Sequence, residues 1–231
     1  MGRKAIYYDT ETTGLKSDTD RIIEIAAYDA MENKSFCTFI NPGMLIPAES
    51  TQITGITNEM VKDAPDFKTA AEMFVEFTKG EVVLIAHNND NFDKHFLVAE
   101  FGRAEVKLPN YPYIDTLKWA KKYRPDLPKF SLQYLREIYG VSANNAHRAL
   151  DDVMVMKEVF EKMIGDLTIE DIFILMNKKS GPITQMPFGK HRGQSLEKVP
   201  KAYLSWLNKS GALDKEENLE LKDTLTKLAL I

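Results

Sequence analysis

Residues 7–15 read YYDTETTGL: two aromatic residues closing an apolar run, then Asp9 and Glu11 among threonines, then Gly14. The run from Lys4 to Asp9 reads as a β-strand. Side chains two apart on a strand share a side, so Asp9 and Glu11 converge at its C-terminal end. Like charges that close repel, and they persist only with a shared proton, a bound cation or access to water. A lone D-x-E fits an acidic strand end facing solvent. Whether it is more than that depends on acids elsewhere in the chain.

Outward from this strand, RIIEIAAYDA, the turn residues MENK and SFCTFINP read as a hairpin of two further strands. A loop rich in Pro, Gly and Thr follows. The segment AAEMFVEFTKG has helical spacing, EVVLIAHN is a buried-type strand, NFDKHFLVAEFG is helical, YPYID extended and TLKWAKKY helical. SLQYLREIYG starts on Ser131, a candidate N-cap, and stops at Gly140; the helix AHRALDDVMVMKEVFEKM comes next. The sum is an α/β chain, a mixed sheet with helices around it, followed by a small C-terminal α+β module. The expected division is residues 1–167 as the main domain, a linker or helix over 168–180, and 181–231 as a small C-terminal domain expected to bind nucleic acid.

Two acids on helices repeat the anomaly of the first pair. At 100° per residue, Ala149, Val153, Met156, Phe160 and Met163 form one apolar stripe, and Asp152 falls inside it while Asp151 points to the polar face with Glu158. Asp93 lies between the directions of Phe96 and Leu97. An ionised carboxylate on a core-facing stripe costs several kcal/mol unless paired or coordinated. A structural salt bridge would satisfy either one alone. Four acids together are better matched by two divalent cations, and oxygen-only ligation points to Mg2+ or Mn2+. Two such ions about 4 Å apart suit in-line displacement at phosphorus. His147, with an ordinary pKa of about 6.5, suits a general base near neutral pH. On one continuous helix it would lie roughly 140° from Asp152, so reaching a common site requires it on the loop before the helix.

Bulk properties narrow the class. The chain has 231 residues, 44% of them hydrophobic, which is ordinary for a globular protein with one sizeable core and a small appended module. No apolar run approaches a membrane span, and MGRKAIYYDT lacks the pattern of a signal peptide, so the expected address is cytoplasmic and no membrane partner is expected. Cys37 is the sole cysteine, which excludes an internal disulfide and a cysteine-based zinc cluster. The net charge of −4 requires that any nucleic-acid affinity come from a local patch.

Taken in order, D-T-E-T-T-G-L, N-F-D at Asn91–Asp93, and H-R-A-L-D-D with His147 five residues before Asp152 resemble the three motifs of the DEDDh 3′–5′ exonuclease family. The resemblance covers roughly residues 4–165. It implies a ribonuclease H-like fold, two Mg2+ ions and removal of nucleotides one at a time from 3′ ends. Carried over, Asp9, Glu11 and Asp152 hold the metals, Asp93 contributes directly or through water, and His147 deprotonates the attacking water. Thr12, Thr13, Gly14 and Leu15 resemble the family's pocket for the terminal nucleotide. Family members often read H-N-x-x-F-D before the second acid, whereas HNNDNFD is one residue longer; the pattern can be read from Asn89, which with Phe92 then joins the substrate contacts. Thr54 stands where many relatives have histidine.

The tail PFGKHRGQSLEKVPKAYLSWL resembles the C-terminal segment of the exodeoxyribonuclease X branch of the family. Between Lys178 and Lys209 there are seven Lys or Arg against one acid, Glu197, a local excess that stands out against the acidic whole. Lys190 and Arg192 are the candidate phosphate contacts there, with Phe188, Tyr203 and Trp206 interleaved. Taken alone, Trp206 is expected in a small aromatic core. The expected partner is single-stranded or 3′-ended DNA, with RNA as the alternative of ribonuclease T-like and oligoribonuclease-like members, and the resemblance admits a homodimer. A nucleic-acid binder with a decayed centre is a further alternative, opposed by the intact acids and histidine. A haloacid dehalogenase-type phosphatase needs a second Asp where Glu11 stands.

Overall fold

In the computed structural model, which describes residues 3–142, 148–177, 183–215 and 218–231, strand β1 (Lys4–Thr12) occupies the middle of a five-stranded sheet. It pairs antiparallel with β2 (Ile22–Asp29) and parallel with β4 (Val82–Ala86). β3 (Lys34–Phe39) and β5 (Tyr113–Asp115) complete the order β3-β2-β1-β4-β5. The chain divides into two compact units, Met1–Met176 and Asn177–Ile231.

Helices cover both faces of the sheet. On one, Ile6 and Tyr8 pack with Phe74 of α3 (Phe67–Phe77) and with Phe96 and Phe101 of α4 (Asp93–Arg103). On the other, Tyr7, Val83 and Ile85 meet Trp119 of α5 (Thr116–Tyr123), Val153 and Phe160 of α7 (Ala149–Ile164) and Ile172 of α8 (Ile169–Asn177). Leu135 of α6 (Leu132–Ile138) adds a smaller cluster with Val155 and Val159. This is the mixed sheet flanked by helices that the pattern of elements implies, in the ribonuclease H-like arrangement that the resemblance implies. Because strand residues alternate, Asp9 and Glu11 continue the side of Tyr7, the side that α7 covers.

The Pro-, Gly- and Thr-rich stretch read as a loop contains α1 (Ala48–Thr54) and α2 (Asn58–Val61). Helices of one or two turns are too short to show a period, so the sequence conceals them. Local chemistry still marks their ends: α1 stops at Gly55, whose φ of +72° is left-handed, and the Thr57 hydroxyl accepts from the Met60 N–H at 3.4 Å. A β-bulge ties this segment to the sheet. Glu11 lies opposite Glu24 but Thr12 lies opposite Ile22, leaving Ile23 as an extra residue on β2. Ile23 packs instead with Ile46, Ile56 and Val61, around α1 and α2. From α1, the Ser50 hydroxyl donates to the Thr13 carbonyl at 2.6 Å and fixes the chain just past the strand end.

The second unit is built on α9 (Lys201–Lys209) and α10 (Leu219–Lys227), with Met186, Leu196, Leu204, Leu207, Leu213, Leu221 and Leu225 as its core. Among the described residues its β component is a single antiparallel bridge, Gln185 to Ser195. Trp206 corrects the expectation from sequence: it is 59% exposed and stands outside that core. The reason is angular. Leu204 and Leu207 define the inward stripe of α9, and Trp206 is turned about 100° from Leu207, onto the solvent side.

The two residues predict opposite behaviour in denaturant. Ile23→Ala empties a closed apolar site and should cost about 2–4 kcal/mol, whereas Trp206→Ala should stay within about 0.5 kcal/mol of the unsubstituted protein. Comparable losses would mean that Trp206 is part of the core.

Candidate active site

Three carboxylates meet where β1 ends. Asp9, Glu11 and Asp152 each offer an oxygen within 4.8 Å of the other two. β1 supplies the first two on one side by its alternation, and the first turn of α7 lays Asp152 over them. Asp152 and Glu11 are each only 9% exposed, and Gln133 on α6 approaches Asp152 with its amide at 3.4 Å.

The fourth acid arrives from the other face of the sheet. Asp93 opens α4, is 2% exposed, and accepts hydrogen bonds at Oδ1 from the Thr10 N–H (3.1 Å) and Thr10 hydroxyl (2.8 Å). It stands beside the trio, lining the same pocket of about 780 Å3.

The carboxyls raise one another's proton affinity, and Arg148 offsets this only in part at Glu11. Burial first, then the charges of Asp152, Glu24 and Asp93, pushes the Glu11 carboxyl up to about 8. Burial likewise lifts Asp93 to about 7, against the downward pull of its bonds to Thr10. Asp9 is held well above the ordinary carboxylate range by burial, then by Asp93, Glu11 and Asp152. An all-oxygen set whose members repel one another fits a hard divalent cation, which would replace repulsion by coordination.

The loop before Asp93 is held by a residue the motif reading passed over. Asp115 caps α5 by accepting from the Leu117 N–H at 2.9 Å, and also accepts from the N–H groups of Asn88 and Asp90, both at 3.1 Å. The extra residue of HNNDNFD is absorbed there, with Asn88 in the left-handed region (φ +66°) and a 3-10 turn over Asn89–Asn91. His87 is fixed in one tautomer. The Phe130 carbonyl can only accept, so Nε2 carries the proton at 2.9 Å and Nδ1 accepts from the Thr116 hydroxyl at 2.8 Å. Both ring nitrogens are engaged and burial lowers its pKa, so His87 anchors the loop.

Of the expected substrate contacts, Thr12, Thr13, Gly14, Leu15 and Phe92 line the pocket. Leu15 is 85% exposed and Ile53, on α1, is 60% exposed, giving the pocket an apolar lip. Gly14 is required by packing within the protein: a Cβ there would collide with the Asp20 carboxylate, which accepts from the Lys16 N–H. Asn89 lies elsewhere. It is fully buried and accepts from the Tyr8 hydroxyl, while Asn88 lines the pocket. Lys190 and Arg192 belong to the second unit, both exposed. His147 lies outside the described residues, as do Lys178 and Lys179.

Glu24 was also missed. It is 1% exposed, pairs with Arg148 at 3.0 Å and accepts from the Ala149 N–H at 3.1 Å, so β2 holds the first turn of the helix that carries Asp152. The signal was available in RIIEIAAY, where an acid interrupts a run of otherwise buried residues.

A family model described as "Exonuclease" matches residues 6–160, more than half of the chain. The chain belongs to this exonuclease family. With the acid cluster, membership places the first unit in the DEDDh class of metal-dependent exonucleases. It is 34% identical over 191 residues to the PolC-type DNA polymerase III of Caldanaerobacter subterraneus subsp. tengcongensis, covering 79% of this chain and 13% of the polymerase. It is 39% identical over 164 residues to DNA polymerase III subunit epsilon of Treponema pallidum, covering 68% of this chain and 75% of the subunit. The fold is shared with E. coli exonuclease I solved with a dA16 oligonucleotide (TM-score 0.65, 22% identity, 75% of this chain and 43% of that one). It is shared too with exonuclease X solved with 5′-overhanging duplex DNA (TM-score 0.58, 23% identity, 74% and 99%). A second family model, named for a quorum-sensing-regulated virulence factor, matches residues 182–217. Among the described residues no helix is long and apolar enough to cross a membrane.

The raised carboxyls carry a signed consequence for stability. The folded protein binds protons at Glu11 and Asp93 more tightly than the unfolded chain does, so without metal their contribution is favourable below about pH 4 and fades as pH rises toward about 8. In EDTA, the melting temperature of Glu11→Gln should therefore gain on that of the unsubstituted protein as pH climbs from 5 to 8, and added Mg2+ should close the gap. A pH-independent difference would show that the Glu11 carboxyl is not raised in the folded protein. Separately, Asp115→Ala should cost about 2–4 kcal/mol in denaturant unfolding, because the backbone N–H groups of Asn88, Asp90, Leu117 and Lys118 lose their acceptor.

Proposed function

We propose that this protein is a 3′–5′ exonuclease that hydrolyses nucleotides one at a time from the 3′ ends of DNA, as a cytoplasmic enzyme of the exodeoxyribonuclease X type. The observation that carries this is the convergence of Asp9, Glu11 and Asp152 within 4.8 Å at the floor of a pocket with an apolar lip. The motif order, and the DNA in the solved relatives, support the substrate class. The C-terminal sequence supports the exodeoxyribonuclease X reading.

The residues divide the work as follows. Asp9, Glu11 and Asp152 would hold two Mg2+ or Mn2+ ions, with Asp93 contributing from across the strand end. When bound, such ions acidify water and stabilise charge on phosphate and leaving oxygens. His147 would take the proton from the attacking water, a role that the ordinary pKa of an imidazole, about 6.5, suits. Leu15 and Phe92 offer apolar surface to the terminal base, and the chain around Thr12, Thr13 and Gly14 shapes the floor beneath the sugar. None of these groups distinguishes deoxyribose from ribose by charge, so RNA is the competing substrate.

A 3′-labelled oligonucleotide in DNA and RNA forms of one sequence, with Mg2+, tests the reading. Mononucleotides should appear from the DNA form at the higher kcat/KM, and Asp9→Ala should abolish release while the protein stays folded by circular dichroism. Activity retained in Asp9→Ala would overturn the assignment. Preference for RNA would move the protein to the ribonuclease T-like branch, and binding without release would make it a nucleic-acid binder.

A further inference from the structure

Three rings of the second unit stand in a row. His191 meets Tyr203 edge-on, with centroids 4.7 Å apart, and Tyr203 lies tilted against Trp206 at 5.7 Å. The row is pre-set by its neighbours. The Gln194 amide donates to the Lys198 carbonyl at 2.8 Å, which turns its oxygen toward His191 Nδ1 at 2.9 Å and fixes that ring. Gly189 (φ +74°) is where the loop comes against Tyr203, since a Cβ there would collide with the phenol hydroxyl. Tyr203 is thus held between loop and helix, and Trp206 ends the row with most of its indole in solvent.

Cations surround these rings. Lys190 and Arg192 sit on the loop, and Lys209 follows Trp206 by three residues, on the same side of α9. Glu197 is the single acid from Ile183 to Ser210. Among the described residues, the ion pairs of this unit join Lys222 to Asp214 and Lys227 to Asp223, and Lys190 and Lys209 are in neither.

We propose that the second unit binds single-stranded nucleic acid in its own right, with a base stacked on Trp206 at the open end of the His191–Tyr203–Trp206 row and phosphates met by Lys190, Arg192 and Lys209. This extends the exonuclease reading to the second unit and rests on it for the choice of nucleic acid as occupant. The chemistry fits a single strand: every base offers a π-face, so stacking is blind to sequence, and the flanking cations match the backbone. A duplex would hide those faces, and a lipid surface would call for a wider apolar face than one indole. Rings already held in place need little ordering when a base arrives.

The test uses the whole protein in EDTA, where divalent ions and hydrolysis are absent, with dT16 and an abasic oligomer of equal length as probes. Trp206→Ala should raise the Kd for dT16 about tenfold, the loss expected for one stacked base, and leave that for the abasic oligomer unchanged. Trp206→Phe should recover most of the loss. Indole fluorescence of the unsubstituted protein should be quenched by dT16 and not by the abasic oligomer. Lys190→Ala and Lys209→Ala should each lower the slope of log K against log salt by about 0.7 for both probes. An unchanged dT16 affinity in Trp206→Ala, or an equal loss for the abasic oligomer, would overturn the proposal. Hydrolysis of the nitrophenyl ester of thymidine 5′-monophosphate by the unsubstituted protein with Mg2+ scores the exonuclease reading separately. Absence of that hydrolysis alongside Trp206-dependent binding of dT16 would sink the exonuclease reading and leave this one standing.

Discussion

Repulsion among carboxylates at the end of β1 is the constraint around which the first unit is arranged. Nothing about the strand requires acids there, and burial makes their charged forms unfavourable. The fold nevertheless brings Asp152 onto Asp9 and Glu11 by packing the apolar stripe of α7 against the Tyr7 side of the sheet. Hydrophobic burial along that helix, with Val153, Met156 and Phe160 fully enclosed, holds the helix over the two strand carboxyls. Such an arrangement is pre-organised for a cation.

Much of this was legible because two periods coincide at one place. Alternation along β1 placed Asp9 and Glu11 together, and the 100° step placed Asp152 inward and Asp151 outward. What the sequence concealed depends on contacts between distant segments. Asp115 looks like an ordinary acid until Asn88 and Asp90 arrive from elsewhere in the chain. Asn89 satisfied the motif spacing, yet the left-handed turn at Asn88 sends it into the core beneath Tyr8. Trp206 was read by residue type, when its angle to Leu204 and Leu207 was the better guide.

The two faces of the sheet divide the labour. α7 and β1 hold the acid trio from one side, whereas α4 presents Asp93 from the other and ties it to Thr10. The site is therefore sensitive to both layers, and a cavity in either core can disturb it. The second unit has its own apolar core of leucines around α9 and α10. Its exposed Trp206 stands outside that core.

The bulge at Ile23 separates two requirements that a regular hairpin would bind together. In an unbroken ladder, adding or losing one residue turns every later side chain to the opposite side. Here the odd residue is absorbed at Ile23, just past the end of the turn that runs from Thr13 to Arg21. That turn can change in length and composition among related sequences without rotating Asp9 or Glu11 away from α7, so the rim of the pocket is evolvable while its floor stays fixed.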